Sequence, residues 1–87
     1  MTLGNGRSVV ALVDEARFRA TRLGVGYDMG QVDDFLDRVT RASAAGGDVD
    51  SLLVAARFEQ TGFLTQGYDA EDVDDFLEGL RRVATRA

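Results

Sequence analysis

The sequence predicts an all-α fold of four helices, arranged as two tandem units of short helix, loop and long helix. Three observations predict it. Apolar residues recur at helical spacing in four separate stretches of the 87-residue chain. A string of marker residues in the first half returns in the second half in the same order. N-cap residues and glycines fall where the periodic stretches begin and end.

The repeat is the strongest of these signals. Ala16-Arg17-Phe18 returns as Ala56-Arg57-Phe58, an offset of 40. Gly26-Tyr27-Asp28 returns as Gly67-Tyr68-Asp69, an offset of 41, so the second loop holds one extra residue. Val32-Asp33-Asp34-Phe35-Leu36 then returns without a gap as Val73-Asp74-Asp75-Phe76-Leu77. With these and the further matches, 15 of the 33 positions from Val9 to Arg41 are identical between the copies. The copies span 8–45 and 48–85 within a single domain of 1–87. Two amphipathic helices that resembled each other by chance would not reproduce the Arg-Phe and Gly-Tyr-Asp markers in order.

Each element has a local justification. Residues 1–6 carry no periodicity and are expected to be loose. The first short helix should start after Ser8, with Val9, Leu12, Val13 and Ala16 on one face. Arg17 is expected in its last turn, where a cation suits the negative end of the helix dipole. A loop containing Gly24 and Gly26 follows. The first long helix opens at Asp28, with Gln31 completing a capping box and Tyr27 with Val32 forming a hydrophobic staple. Its stripe is Val32, Phe35, Leu36, Val39 and Ala42, and Gly46-Gly47 should stop it near Ala45. Copy two repeats the plan: an Asp48 cap, Val49, Leu52, Leu53 and Ala56, then Arg57 in the last turn. Its loop carries Gly62 and Gly67, and its long helix opens at Asp69 with Val73, Phe76, Leu77, Leu80, Val83 and Ala84.

Composition narrows the function. The chain has no Cys, His or Pro, and its ten basic residues are all Arg. Thiol and imidazole chemistry, disulfides, zinc fingers and lysine-dependent phosphate loops or Schiff bases are therefore excluded. A net charge of -5 opposes non-specific nucleic-acid binding, and the loops are too long for a helix-turn-helix. No apolar run reaches the roughly 20 residues of a transmembrane helix, and the N-terminus lacks the pattern of a signal peptide. The expected location is cytoplasmic. Asp33-Asp34 and Asp74-Asp75 lie on helices without EF-hand spacing, so no metal is expected, and no nucleophile or cofactor motif accompanies them. Asp37 with Arg41 and Glu78 with Arg82 are i,i+4 ion pairs in the favourable orientation. The chain is expected not to be an enzyme and to need no cofactor.

The string Arg-Phe, loop, Gly-Tyr-Asp-x3-Val-Asp-Asp-Phe-Leu resembles the DivIVA N-terminal domain, in particular its actinobacterial form. Both copies carry it, over 8–41 and 48–82. The resemblance implies a non-enzymatic scaffold of poles and division sites that binds curved membrane and recruits cell-wall or division proteins. It also implies a domain that dimerises in parallel and runs into a coiled coil. This sequence is expected to depart from that plan, since the first long helix meets Gly46-Gly47 after roughly four turns and no heptad pattern is read between the copies. Two copies joined by a short connection would supply both halves of such a dimer at high effective concentration. The expectation is an intrachain pseudo-dimer with the stripes of the long helices facing and Phe18 and Phe58 capping the core, or a homodimer of such chains.

The loops hold the candidate contact residues: Arg22, Leu23 and Val25 in copy one, Phe63 and Leu64 in copy two. In the family the sequence resembles, an exposed apolar loop residue beside a basic one inserts into the membrane. Arg22-Leu23 could imitate that pairing. Copy two offers apolar residues but no basic residue between Phe58 and Tyr68, so it gains little from an anionic leaflet. The leading expectation is a protein-interaction module linked to cell division, polar growth or envelope organisation, with a protein partner. The alternative is a peripheral membrane-binding domain that uses the tips around Leu23/Val25 and Phe63/Leu64 at the inner face of the plasma membrane.

Overall fold

The structure, a computed structural model, describes residues 5–21, 25–61 and 65–84. Its elements in chain order are α1 (Asn5–Glu15), β1 (Ala20–Thr21), β2 (Gly26–Tyr27), α2 (Met29–Ala44), α3 (Val49–Ala55), β3 (Gly67–Asp69) and α4 (Ala70–Ala84). Four helices dominate, as the periodicity predicts. The expectation of a purely helical fold is corrected by a small antiparallel sheet of order β1-β3-β2. Ala20 pairs with Tyr68, and Tyr27 pairs with Tyr68 from the other side. Strands of two or three residues are too short to show alternation, and their partners lie in the other copy, so local patterning carries no trace of them.

The helix ends follow side-chain chemistry. The Asp28 carboxylate accepts from the Gln31 N–H at 2.9 Å, and Asp48 accepts from the Ser51 N–H at 3.1 Å. Asp69 does the same for the Asp72 N–H at 3.1 Å. These bonds satisfy donors that a helix leaves open in its first turn. At the end of α2, Gly46 has φ +77°, its N–H donates to Ser43 and the Gly47 N–H donates to Ala42. That is a complete Schellman closure, and it turns the chain toward α3.

Two boundary expectations are corrected. Helix α1 begins at Asn5, so Ser8 lies inside it and the segment 1–6 is partly helical. Burial of Val9, together with packing of Leu12 and Val13 against the core, supports this helix in spite of Gly6 near its start. Arg17 and Arg57 lie beyond the last helical residues, and each guanidinium reaches back to carbonyls at its helix end. Arg17 Nη1 donates to Ala16 O at 2.7 Å, and Arg57 Nη1 donates to Ala56 O at 2.6 Å. The cation still complements the helix terminus, from outside it.

One apolar core unites the two copies. Val9, Val32, Phe35, Leu36, Val39, Val49, Leu53, Val73 and Leu80 are buried in it, with Phe18, Phe58 and Phe76 packed against it. Burying a side chain such as Leu80 contributes about 1.5–3 kcal/mol. Helix α1 lies against both α2 and α4, and α3 lies against the same two helices. The long helices share no extended backbone contact. Val32, Phe35, Leu36 and Val39 of one expected stripe and Val73 and Leu80 of the other share one buried core, against which both short helices also pack. The surface pairs Asp37–Arg41 and Glu78–Arg82 form at 2.7 and 3.2 Å.

Candidate functional site

The repeated markers converge where the copies cross. As α1 ends, Phe18 leaves the helix and packs against copy two, its ring centroid 5.2 Å from Tyr68 and 5.4 Å from Phe76. Phe58 leaves α3 and packs against copy one, 5.4 Å from Tyr27 and 5.5 Å from Phe35. Edge-on aromatic contacts of this kind add about 0.5–1.5 kcal/mol beyond area burial. Phe18 and Phe58 thus serve as packing residues, and each is inserted into the opposite copy.

The backbone repeats the exchange. The Asp28 N–H donates to Glu59 O at 2.9 Å, and the Asp69 N–H donates to Arg19 O at 2.7 Å. Both tyrosine hydroxyls also cross: Tyr27 donates to Asp74 at 2.8 Å and Tyr68 donates to Asp33 at 2.7 Å. Burial and then the Asp74 bond raise the Tyr27 pKa; for Tyr68 the Asp33 bond comes first and burial second. All four acids of the doublets are exposed, and of them Asp33 and Asp74 bridge the copies. Among the described residues no group of three or more carboxylates converges to hold a metal ion.

The glycine of each Gly-Tyr-Asp marker sits at the crossing itself. A Cβ on Gly26 would lie 2.8 Å from Thr61 Oγ1, and one on Gly67 would lie 2.6 Å from Thr61 Cγ2 and 2.7 Å from Tyr27 O. At Gly26 the crowding Thr61 belongs to the other copy, whereas at Gly67 only the Tyr27 carbonyl does and Thr61 is of the same copy.

One pair of equivalent contacts differs in charge. The N–H of Glu59 donates to Gln31 Oε1 at 2.7 Å, so Gln31 reaches across to copy two and does not close the expected capping box onto Asp28. At the equivalent place the Arg19 N–H donates to Asp72 Oδ2 at 3.0 Å, and its guanidinium adds Nε to Oδ2 at 3.0 Å and Nη2 to Oδ1 at 2.9 Å. This bidentate grip, with the backbone donor beside it, holds the Asp72 carboxyl at a pKa of about 2.

A second feature is an open groove of about 510 Å³ between α2 and α3. Phe35, Leu52, Ala55 and Phe58 form its apolar part, and Arg38 and Glu59 lie on its polar rim. It is not duplicated in composition: Glu15 stands at the position matching Ala55, and Gly79 at that matching Arg38.

Of the candidate contact residues, Val25 is 60% exposed at the entry to β2, with its carbonyl accepting from the Ala70 N–H at 3.0 Å. Arg22, Leu23, Phe63 and Leu64 lie outside the described residues. Sequence reasoning missed the bridging roles of Asp33, Asp74, Gln31 and Asp72. For the first two a signal existed, since both exposed acids are kept beside both tyrosines when the core does not require them. No helix among the described residues is long and apolar enough to cross a membrane.

Comparison with protein-family models, curated proteins and solved structures finds no match to this chain in any of the three.

Proposed function

We propose that the chain is a non-enzymatic interaction module of the DivIVA type, in which two copies of the repeat pair within one chain as a pseudo-dimer. The observation that carries this reading is the reciprocal exchange of Phe18 and Phe58, each seated on the aromatic residues of the opposite copy. Joining the copies through the Gly46-Gly47 turn makes their association intramolecular, with effective concentrations on the order of mM. A paired unit of this kind needs no coiled-coil tail to hold it together. It would bind a protein partner, in cell division, polar growth or envelope organisation at the cytoplasmic side. The DivIVA assignment rests on the markers Arg-Phe and Gly-Tyr-Asp-x3-Val-Asp-Asp-Phe-Leu, present twice.

Exposure of Val25 beside its loop favours one second reading, peripheral membrane attachment through the loop tips. Co-sedimentation with anionic liposomes separates the two, using the native chain and a Phe63→Ser, Leu64→Ser double variant. The protein-binding reading expects neither to pellet, because a net charge of -5 opposes adsorption. Salt-sensitive pelleting of the native chain, lost in the variant, would assign the tips to membrane and overturn it.

A further inference from the structure

We propose that positions 19, 31, 59 and 72 form a matching rule by which each copy recognises the other and rejects itself. The inference rests on the paired-copy reading and deepens it by naming the residues that choose the partner. At each crossing, the residue after the inserted phenylalanine meets the third residue of the opposite long helix. The backbone N–H of each makes the same contact, Arg19 to Asp72 and Glu59 to the neutral Gln31, and Arg19 alone adds a bidentate side-chain pair.

The alternatives follow from the same geometry. Were copy two to pair with a second copy two, Glu59 would meet Asp72 at both crossings, two carboxylates where the structure holds a carboxylate and an arginine. Were copy one to pair with a second copy one, Arg19 would meet Gln31 at both crossings and the bidentate contact would be lost. Only the mixed pairing gives the arginine its acid and keeps the glutamate away from one. Repulsion in wrong pairings, added to attraction in the right one, is how related interfaces are kept specific. Most of the remaining crossing residues cannot discriminate, because Phe18/Phe58, Tyr27/Tyr68, Asp28/Asp69, Asp33/Asp74 and Phe35/Phe76 are the same in both copies. Copy one therefore presents a surface fitted to a repeat with an acid at the third helical position, and copy two a surface fitted to a repeat without one.

The test relocates the charge without changing composition. Gln31→Asp with Asp72→Gln exchanges the two residues between equivalent helical positions and leaves the net charge at -5. Within one chain, Glu59 would then face a carboxylate and Arg19 an amide; between two chains, like copies would match. Light scattering coupled to size exclusion and urea unfolding followed by circular dichroism supply the readouts. We expect the native chain at 9.4 kDa and the exchanged variant shifted toward twice that mass, with a lowered unfolding midpoint. Adding Arg19→Glu and Glu59→Arg restores the match in mirror image and should return both mass and midpoint to native values. An exchanged variant indistinguishable from native, or a defect that the four-residue variant leaves uncorrected, would overturn the rule. If the native chain itself runs at twice 9.4 kDa, intrachain pairing fails, while recovery in the four-residue variant still judges the rule.

Discussion

Arg19 and Asp72 show how one exposed pair can matter at the residue scale. Surface ion pairs commonly contribute only about 0–1 kcal/mol, and the Arg19 side chain is 74% exposed. Here the guanidinium binds both carboxylate oxygens, and the backbone N–H of the same residue adds a third bond. The Asp72 pKa of about 2 lies below the roughly 3.9 of an unfolded aspartate. Between those values the unfolded chain binds more protons, so this contribution is fully present above about pH 4 and is lost as pH falls toward 2. Urea titrations across that window should show native stability falling with acid. In an Arg19→Gln variant the Asp72 share of that slope should shrink, because the guanidinium that depresses its pKa is gone. An unchanged slope would mean that the pair does not form in solution.

At the scale of elements, glycines in different settings make opposite predictions. Gly67 lies in β3 with Thr61 of its own copy and the Tyr27 carbonyl of the other where a Cβ would go, so Gly67→Ala must displace the Thr61 side chain and the Tyr27 backbone. An overpacked contact of this kind costs about 1–3 kcal/mol. Gly79 lies inside α4 with open space around its Cβ position, and alanine is the better helix former. Gly79→Ala should stabilise by about 0.4–1 kcal/mol. Chemical denaturation of both variants checks the signs together, and a harmless Gly67→Ala would dissolve the close crossing. The caps at Asp28, Asp48 and Asp69, the stripes of α2 and α4 and the glycine closure after α2 were all legible in the sequence, because each is set by residues a few positions apart. The sheet was not, because Gly26-Tyr27 finds its partner in Gly67-Tyr68-Asp69, and backbone pairing leaves no mark on side-chain pattern. Gln31 illustrates the same limit. Its spacing from Asp28 fits a local capping box, yet a non-local donor, the Glu59 N–H, takes its side chain.

For the whole molecule, the duplication is what gives the separate contacts a common meaning. Several crossing contacts from one copy have counterparts from the other: the two phenylalanines, the two tyrosine hydroxyls and the two helix-opening N–H groups. Each short helix lies against both long ones, so neither copy completes a core alone. Of the candidate contact residues only Val25 lies among the described residues, and it is exposed. The paired-copy account is tested most directly by nuclear Overhauser contacts in an equal mixture of 13C-labelled and unlabelled chains. It predicts that the Phe18–Phe76 and Phe35–Phe58 ring contacts arise within labelled chains and are absent from spectra filtered for contacts between labelled and unlabelled ones. Strong interchain signals for those pairs, or no contact between them in either spectrum, would contradict it.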